Sequence, residues 1–298
     1  MSVRSPVLSD KQHGILVGVD GSPESDTAVR WAGREAALRE LPVTVIHVVA
    51  PIMATWPVMS VESSYLQWQE ENARHVIEQA QKTLVASIES VAPPPVRTQA
   101  MRGGIVSELA TASAAATMVV VGARGMGPAA GAVLGSVSRG LLHHGHCPIT
   151  VVKADVEQPV DANAPVLLGI DGSPASEAAT AFAFDEASRR GVDLVALHAW
   201  SDVGVFPIAG MDWHRYEDEG HEVLGERLAG WREQYPDVVV RRLIVCDRPA
   251  HWLIDEAGRA QLVVVGSRGR GGFSRMMLGS VSTAVAESAP TPVTVVRA

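Results

Sequence analysis

Residues 118–140 read MVVVGARGMGPAAGAVLGSVSRG, and this stretch decides the kind of fold that the chain adopts. Its first residues, MVVVG, form an apolar β-branched run that is typical of a buried strand. A glycine-rich segment follows, and Gly135-Ser136 then opens a pattern typical of a helix. A strand, a glycine-rich loop and a helix in this order indicate one βα unit of a parallel sheet.

The chain contains this unit twice. VVVGARG at 119–125 returns as VVVGSRG at 263–269, an offset of 144, and VGVDGSP at 17–23 returns as LGIDGSP at 168–174, an offset of 151. A period this long indicates a duplicated domain rather than a solenoid repeat. We therefore predict two domains, residues 1–153 and 166–298, joined by a polar linker at 154–165 with two prolines.

Each copy alternates short apolar runs with longer amphipathic stretches. Strands are predicted at 15–20, 43–49, 96–101, 118–122 and 149–152, and again at 166–171, 193–199, 238–245, 262–266 and 293–296. Helices of the first copy are predicted at 22–40, 66–90, 105–116 and 135–144, with Ser22 as a cap. Apolar strands separated by helices require a parallel sheet that is covered on both faces, so the predicted fold class is doubly wound α/β, twice over.

Composition narrows the class of protein. Hydrophobic residues make up 47% of the 298, and the net charge is −8, which argues against a protein that binds nucleic acid through a broad basic face. The two cysteines, Cys147 and Cys246, are too few for a disulfide scaffold and favour a reducing compartment. No apolar run reaches about 18 residues. We expect a soluble, cytoplasmic protein without membrane insertion.

The glycines predict a phosphate cradle. Gly122-x₂-Gly125-x₉-Gly135-Ser136 recurs as Gly266-x₂-Gly269-x₉-Gly279-Ser280, in both copies after the fourth predicted strand. Glycines let backbone N–H groups approach an anion, and the helix that follows directs its free N–H groups and positive dipole end to the same point. The sequence has no lysine-bearing P-loop. A dinucleotide-binding fingerprint would place its glycines after the first strand, whereas these glycines follow the fourth.

With an Asp at the end of the first predicted strand, this doubled glycine pattern resembles the universal stress protein family. The resemblance covers about residues 13–153 and 166–297, and the DGSP and FDEASRR stretches are similar to those of tandem-domain actinobacterial (mycobacterial-type) members. It implies two tandem Rossmann-like (adenine nucleotide alpha-hydrolase-like) domains, each a five-stranded parallel doubly wound sheet with about four helices. It also implies that the last strands of the two copies lie at a contact between them.

The resemblance further implies an ATP site in each copy. Asp20 and Asp171 would meet the adenosine, the neighbouring strand ends would line it, and Val48 and Ala199 would offer backbone groups to the adenine. Ribose and phosphates would be held by the glycine loop and the helix start. The remaining site residues are Gly18, Val19, Gly122, Arg124, Gly125, Gly135, Ser136, Val137 and Ser138 in the first copy, and Gly169, Ile170, Gly266, Arg268, Gly269, Gly279, Ser280, Val281 and Ser282 in the second.

Other clusters have simpler interpretations. The run HHGHC at 143–147 resembles a metal cluster, but consecutive histidines diverge on a helix and the second copy lacks the run. His47 and His198 match in position and favour a hydrogen-bonded structural role over acid–base work. Adjacent helical residues also diverge, so Asp185 and Glu186 are predicted on a solvated face. No nucleophile or metalloprotease motif predicts catalysis.

The leading hypothesis is a regulator of the stress or dormancy response that binds ATP, two per chain, with Mg²⁺ as a candidate companion. A slow ATPase or adenylyl-transfer enzyme, a cyclic-AMP-binding protein using the same pocket, and a nucleotide-free scaffold that acts by dimerisation remain as alternatives. A regulatory protein partner and a homodimer are compatible with each hypothesis, and a nucleic-acid partner is not expected.

Overall fold

A computed structural model of the protein describes residues 12–51, 62–88, 93–126, 133–154, 161–200, 213–269 and 278–297. These residues belong to two compact units, with described parts at 12–154 and 161–297. We call the units the N-terminal and the C-terminal domain. Six residues of the predicted linker, 155–160, lie outside the described residues.

The N-terminal domain alternates strands and helices along the chain. Its strands are parallel and lie in the order β3-β2-β1-β4-β5. The elements are β1 (Ile15–Gly18), α1 (Pro23–Arg39), β2 (Val43–Val49), α2 (Glu62–Ala86), β3 (Val96–Arg102), α3 (Ile105–Ser113), β4 (Met118–Gly122), α4 (Ser136–His144) and β5 (Ile149–Val152).

The C-terminal domain repeats the arrangement in the order β10-β9-β6-β7-β8, again with parallel strands. Its elements are β6 (Val166–Gly169), α5 (Pro174–Arg190), β7 (Leu194–Ala199), α6 (Trp213–Gln234), β8 (Val240–Val245), α7 (Pro249–Ala257), β9 (Leu262–Gly266), α8 (Ser280–Ser288) and β10 (Val293–Val296). The predicted fold, two doubly wound five-stranded sheets, is confirmed.

The strand order reverses beside the first strand of each domain. The N-terminal chain moves outward from β1 through β2 to β3, and then returns to β4 on the other side of β1. The central strands are buried on both faces, with Ile15, Leu16 and Val17 fully inaccessible to solvent. In such sheets the loops that leave β1 and β4 separate and open a crevice at the carboxyl edge, where ligands bind.

The predicted first strands are two residues too long, because the chain turns at an aspartate in both copies. β1 ends at Gly18 and β6 at Gly169. Asp20 and Asp171 lie beyond them and accept hydrogen bonds from the helix-capping residues Ser22 and Ser173. Ser22 caps α1 as predicted, since its Oγ accepts from the N–H of Ser25 over 3.1 Å, and Ser173 caps α5 in the same way, accepting from the N–H of Ser176 over 3.2 Å.

The solvated face predicted for Asp185 and Glu186 is wrong. Asp185 is 5% exposed and Glu186 is inaccessible to solvent. Each carboxylate forms an ion pair one helical turn ahead, with Arg189 at 2.9 Å and with Arg190 at 2.8 Å. Helix α5 is buried around most of its circumference at this level. Divergent side chains can therefore both be buried when each one has its own arginine.

Among the described residues, no helix combines the length and the apolarity that crossing a bilayer requires.

Candidate nucleotide-binding site

The predicted site residues of the N-terminal domain meet at the carboxyl ends of β1 and β4. These strands pair directly, with Gly18 opposite Val121, so the loops that follow them are neighbours. The carboxylate of Asp20 connects the two loops. Its Oδ1 accepts from the N–H and hydroxyl of Ser22 at 3.0 and 2.6 Å, and its Oδ2 accepts from the N–H of Met126 at 2.8 Å.

Two glycines of the cradle are required by close approach. A Cβ on Gly122 would lie 2.8 Å from the main-chain carbon of Glu24, so the end of β4 passes directly against the start of α1. A Cβ on Gly125 would overlap Oδ2 of Asp20. Side chains at these positions would push the glycine loop away from the β1 loop, and the crevice between them would change shape.

Helix α4 begins at the cradle with its first turn uncapped by a side chain. Gly135 is the N-cap and supplies no side-chain acceptor. The N–H of Gly135 donates to Ala123 O over 2.7 Å, and Ser138 Oγ donates to Gly122 O over 2.6 Å, which fixes the helix start against the end of β4. An uncapped helix start directs N–H groups and a partial positive charge at an anion.

The C-terminal domain reproduces this geometry. Asp171 Oδ1 accepts from the N–H of Ser173 over 2.9 Å, and a Cβ on Gly269 would lie 2.6 Å from Asp171 Oδ2. A Cβ on Gly266 would lie 2.7 Å from the main-chain carbon of Ala175. Gly279 is the N-cap of α8 without a side-chain bond, and Ser282 Oγ donates to Gly266 O over 2.6 Å. The structure therefore contains two cradles of one design.

The matched histidines hold the adjacent strand end. Nδ1 of His47 lies 2.8 Å from Val19 O, and Nδ1 of His198 lies 2.7 Å from Ile170 O. Both rings are buried. The hydrogen-bonded role expected from the sequence is the one observed. It positions the backbone that follows each histidine, at Val48 and Ala199, beside the loop that follows β1 or β6.

Gly18 and Gly169 have a different function from the other predicted glycines. A Cβ on Gly18 would lie 3.2 Å from Leu109 of α3, and one on Gly169 would lie 3.0 Å from Leu253 of α7. They make room for a helix that packs on the sheet, whereas the cradle glycines make room for a loop.

Residue-by-residue comparison of the domains shows two positions that the motif-based prediction missed. Nε of Arg124 pairs with Oε1 of Glu24 at 3.1 Å. At an offset of 151, Glu24 corresponds to Ala175 and Val76 corresponds to Arg227. The signal was available in the alignment of the two copies, but both positions lie outside the glycine motif.

The HHGHC run at 143–147 begins in the last turn of α4. Within the residues that the structure describes, no group of three or more His, Cys, Asp or Glu side chains is arranged to hold an ion. His143 and His144 lie in the last turn of α4, where imidazoles interact favourably with the helix dipole.

Comparison with known proteins agrees with the duplicated fold. The model of the universal stress protein family matches residues 13–153 and 163–297. The chain belongs to the universal stress protein family. It is 55% identical over 291 residues to a universal stress protein of Mycolicibacterium smegmatis, covering 98% of this chain and 99% of that protein. It is 49% identical to one of Mycobacterium tuberculosis, covering 95% and 96%.

A solved structure supports the fold of the whole chain. A universal stress protein of Archaeoglobus fulgidus superposes with a TM-score of 0.69 at 23% sequence identity, covering 96% of this chain and 99% of that one. At this identity the likeness concerns the fold alone.

Proposed function

We propose that each domain binds one adenine nucleotide, with ATP as the preferred ligand, and that occupancy of the two sites regulates the protein in the stress response. The observation that carries the proposal is the repeated cradle. In both domains an aspartate, two close-approach glycines and an uncapped helix start converge at the point where strand order reverses. This combination suits a phosphorylated ligand, because it offers backbone donors and a helix dipole to an anion.

Within the proposal, the phosphates lie against the first turns of α4 and α8. The N–H groups of Ser136, Val137 and Ser138, and of Ser280, Val281 and Ser282, would donate to them. Asp20 and Asp171 would orient the adenosine, and the backbone at Val48 and Ala199 would meet the adenine edge. Mg²⁺ would enter with the triphosphate, since magnesium commonly binds through substrate phosphates.

A direct experiment counts the nucleotides that the protein carries. The protein is purified without added nucleotide and denatured, and the released compounds are identified by chromatography and mass spectrometry. We expect ATP, with titration of emptied protein giving one site per domain. ADP alone would favour slow hydrolysis, and displacement of ATP by low concentrations of cyclic AMP would favour the cyclic-nucleotide alternative. Protein that neither carries nor takes up nucleotide would contradict the proposal.

Paired variants locate the sites. Ser136→Asp and Ser280→Asp each add a carboxylate to the first turn of a helix, which stabilises the helix but repels a phosphate. We expect each variant to lose one site and the double variant to lose both. Glu108, in the first turn of α3, provides the control: Glu108→Gln changes a charge at a helix start outside the cradle and should leave the stoichiometry unchanged.

Regulation is tested by the partners that copurify with each form. Wild-type protein and the double variant are used as baits in stressed and unstressed extracts of a host, and the captured proteins are compared. A nucleotide-dependent regulator captures different partners in its two forms. Identical partners and identical oligomeric states for both forms would instead support the scaffold hypothesis.

A further inference from the structure

The two cradles share their backbone geometry but differ in charge. The main chain approaches the first cradle glycine equally closely in both domains. A Cβ on Gly122 would lie 2.8 Å from the main-chain carbon of Glu24, and a Cβ on Gly266 would lie 2.7 Å from that of Ala175. The aspartate and the cradle arginine are present in both domains, as Asp20 with Arg124 and Asp171 with Arg268. Differences between the sites can therefore be attributed to the side chains that are exchanged.

The first exchange removes an acid. In the N-terminal domain, Glu24 pairs with Arg124 at 3.1 Å and neutralises the cradle arginine. In the C-terminal domain Ala175 stands in place of Glu24, and among the described residues the side chain of Arg268 has no hydrogen bond or ion pair. The positive charge of the second cradle is therefore not compensated in the same way.

The second exchange adds a base. The methyl groups of Val76 on α2 face Gly21, with a Cβ on that glycine lying 3.2 Å from the nearer one. At the equivalent place on α6, the guanidinium of Arg227 lies against Gly172, directly after Asp171, and a Cβ on Gly172 would overlap it. Nη1 of Arg227 is buried and has no hydrogen-bond partner among the described residues. A buried donor without a partner is costly, and an acceptor on a ligand would remove that cost.

A third group lies close enough to Arg268 to interact electrostatically with it. Burial, with the like charge of Arg268, lowers the pKa of Arg297 from its ordinary value. Lys153 holds the equivalent position in the N-terminal domain, so this position matches in charge. At the two exchanged positions the C-terminal site is more positive by two charges, one lost acid and one gained base, and it loses one base where Thr283 of α8 stands in place of Arg139 of α4.

We propose that the two sites are functionally unequal. Ala175 and Arg227 make the C-terminal site selective for highly charged nucleotides, so that it prefers a triphosphate to a monophosphate. The ion pair of Glu24 with Arg124 makes the N-terminal site less selective. The inference rests on the proposed function, because it assumes one nucleotide site per domain. The physical basis is that attraction between the site and the ligand grows with the charge of both and weakens with salt.

The test isolates one site at a time in the full chain. Ser136→Asp blocks the N-terminal site, so that only the C-terminal site binds nucleotide. Ser280→Asp blocks the C-terminal site, so that only the N-terminal site binds. Calorimetric titration of each with ATP, ADP and AMP, at low and high salt, gives the charge selectivity of each site. We expect the ratio of ATP to AMP affinity to be about tenfold larger at the C-terminal site, with a steeper loss on adding salt.

Charge exchange then assigns the difference to the named residues. Ala175→Glu supplies the missing acid and should weaken ATP binding at the C-terminal site by about three- to tenfold while changing AMP binding less. Ala175→Gln is the matched control, with the same size and no charge, and should leave the selectivity unchanged. Arg227→Met removes the guanidinium and keeps an unbranched apolar stem, and should also lower the selectivity. In the N-terminal site Glu24→Gln should raise it.

Equal selectivity and equal salt dependence at the two isolated sites would overturn this inference and leave the proposed function intact. The inference also fails if Ala175→Gln weakens ATP binding as much as Ala175→Glu does, because size rather than charge would then be responsible. Absence of nucleotide binding by the wild-type chain would overturn both the inference and the proposed function.

Discussion

Oδ2 of Asp20 accepts a hydrogen bond of 2.8 Å from the backbone N–H of Met126, which lies 106 residues further along the chain. Oδ1 of the same carboxylate holds the start of α1 through Ser22. One side chain therefore couples the loop after β1 to the loop after β4. The carboxylate preorganises the crevice, and its removal should affect ligand binding more than it affects overall stability.

Asp20→Ala tests this coupling. We expect nucleotide affinity at the N-terminal site to fall by about tenfold or more, because the glycine loop loses its anchor. We expect the free energy of unfolding to fall by only about 1–2 kcal/mol, since the group is partly exposed. In Asp20→Asn the amide oxygen still accepts from Ser22, but the amide NH₂ faces the N–H of Met126, and two donors cannot form a hydrogen bond. One of the two contacts is therefore lost, and the effect on binding should be intermediate. Calorimetry and urea unfolding measure the two quantities, and unchanged affinity in Asp20→Ala would refute the coupling.

Gly122 and Gly135 should respond differently to alanine. A Cβ on Gly122 meets the main chain of Glu24 at 2.8 Å, whereas one on Gly135 has its nearest neighbour, Ala123 O, at 3.3 Å. Backbone cannot move aside as a side chain can, so Gly122→Ala should cost about 1–3 kcal/mol of stability. Gly135→Ala should cost less, and thermal or chemical unfolding of the pair measures the difference. If Gly122→Ala lowers stability less than Gly135→Ala does, the end of β4 and the start of α1 separate easily.

Ser138 closes the cradle from the helix side. Its hydroxyl donates to Gly122 O over 2.6 Å in a buried position, so Ser138→Ala leaves a buried carbonyl with one donor fewer. We expect a loss of about 1 kcal/mol in the free energy of unfolding, together with faster amide exchange at the start of α4. Ser107 is the matched control, since its hydroxyl donates to Gly104 O over 2.8 Å in an exposed position. Ser107→Ala should cost little, and equal losses for both variants would argue against the role of burial.

Cys246 should alkylate slowly near neutral pH. Burial, with the nearby carboxylate of Asp247, raises the pKa of its thiol, so less of the reactive thiolate is present at a given pH. Asp247→Asn removes the charge and lowers the pKa toward its ordinary value, and the rate of reaction with iodoacetamide at pH 8 should therefore rise. Peptide mapping separates this thiol from Cys147, which is buried. A rate that does not change in Asp247→Asn would remove the carboxylate as a cause.

The elements that were predicted best are those determined by local pattern. The strands at 43–49, 118–122 and 149–152 have the predicted bounds, because their runs of β-branched residues are buried along almost their whole length. The prediction failed for Asp185 and Glu186, whose burial depends on arginines one turn away and on the other elements that cover α5. Charge in a sequence indicates a solvated face only where no partner is available.

Repeats, apolar runs and glycine spacing are properties of consecutive residues, so they predict a duplicated doubly wound α/β protein with a glycine cradle in each copy. Which groups contact one another depends on the tertiary structure: the carboxylate of Asp20 contacts Met126, Glu24 contacts Arg124, and Arg227 contacts Gly172. The residues of each pair are far apart along the chain, and their contact depends on how helices and loops assemble over the sheet. The residues that differ between the two sites, Glu24 against Ala175 and Val76 against Arg227, therefore lie outside the shared glycine motif, and the packing of helices and loops brings them to it.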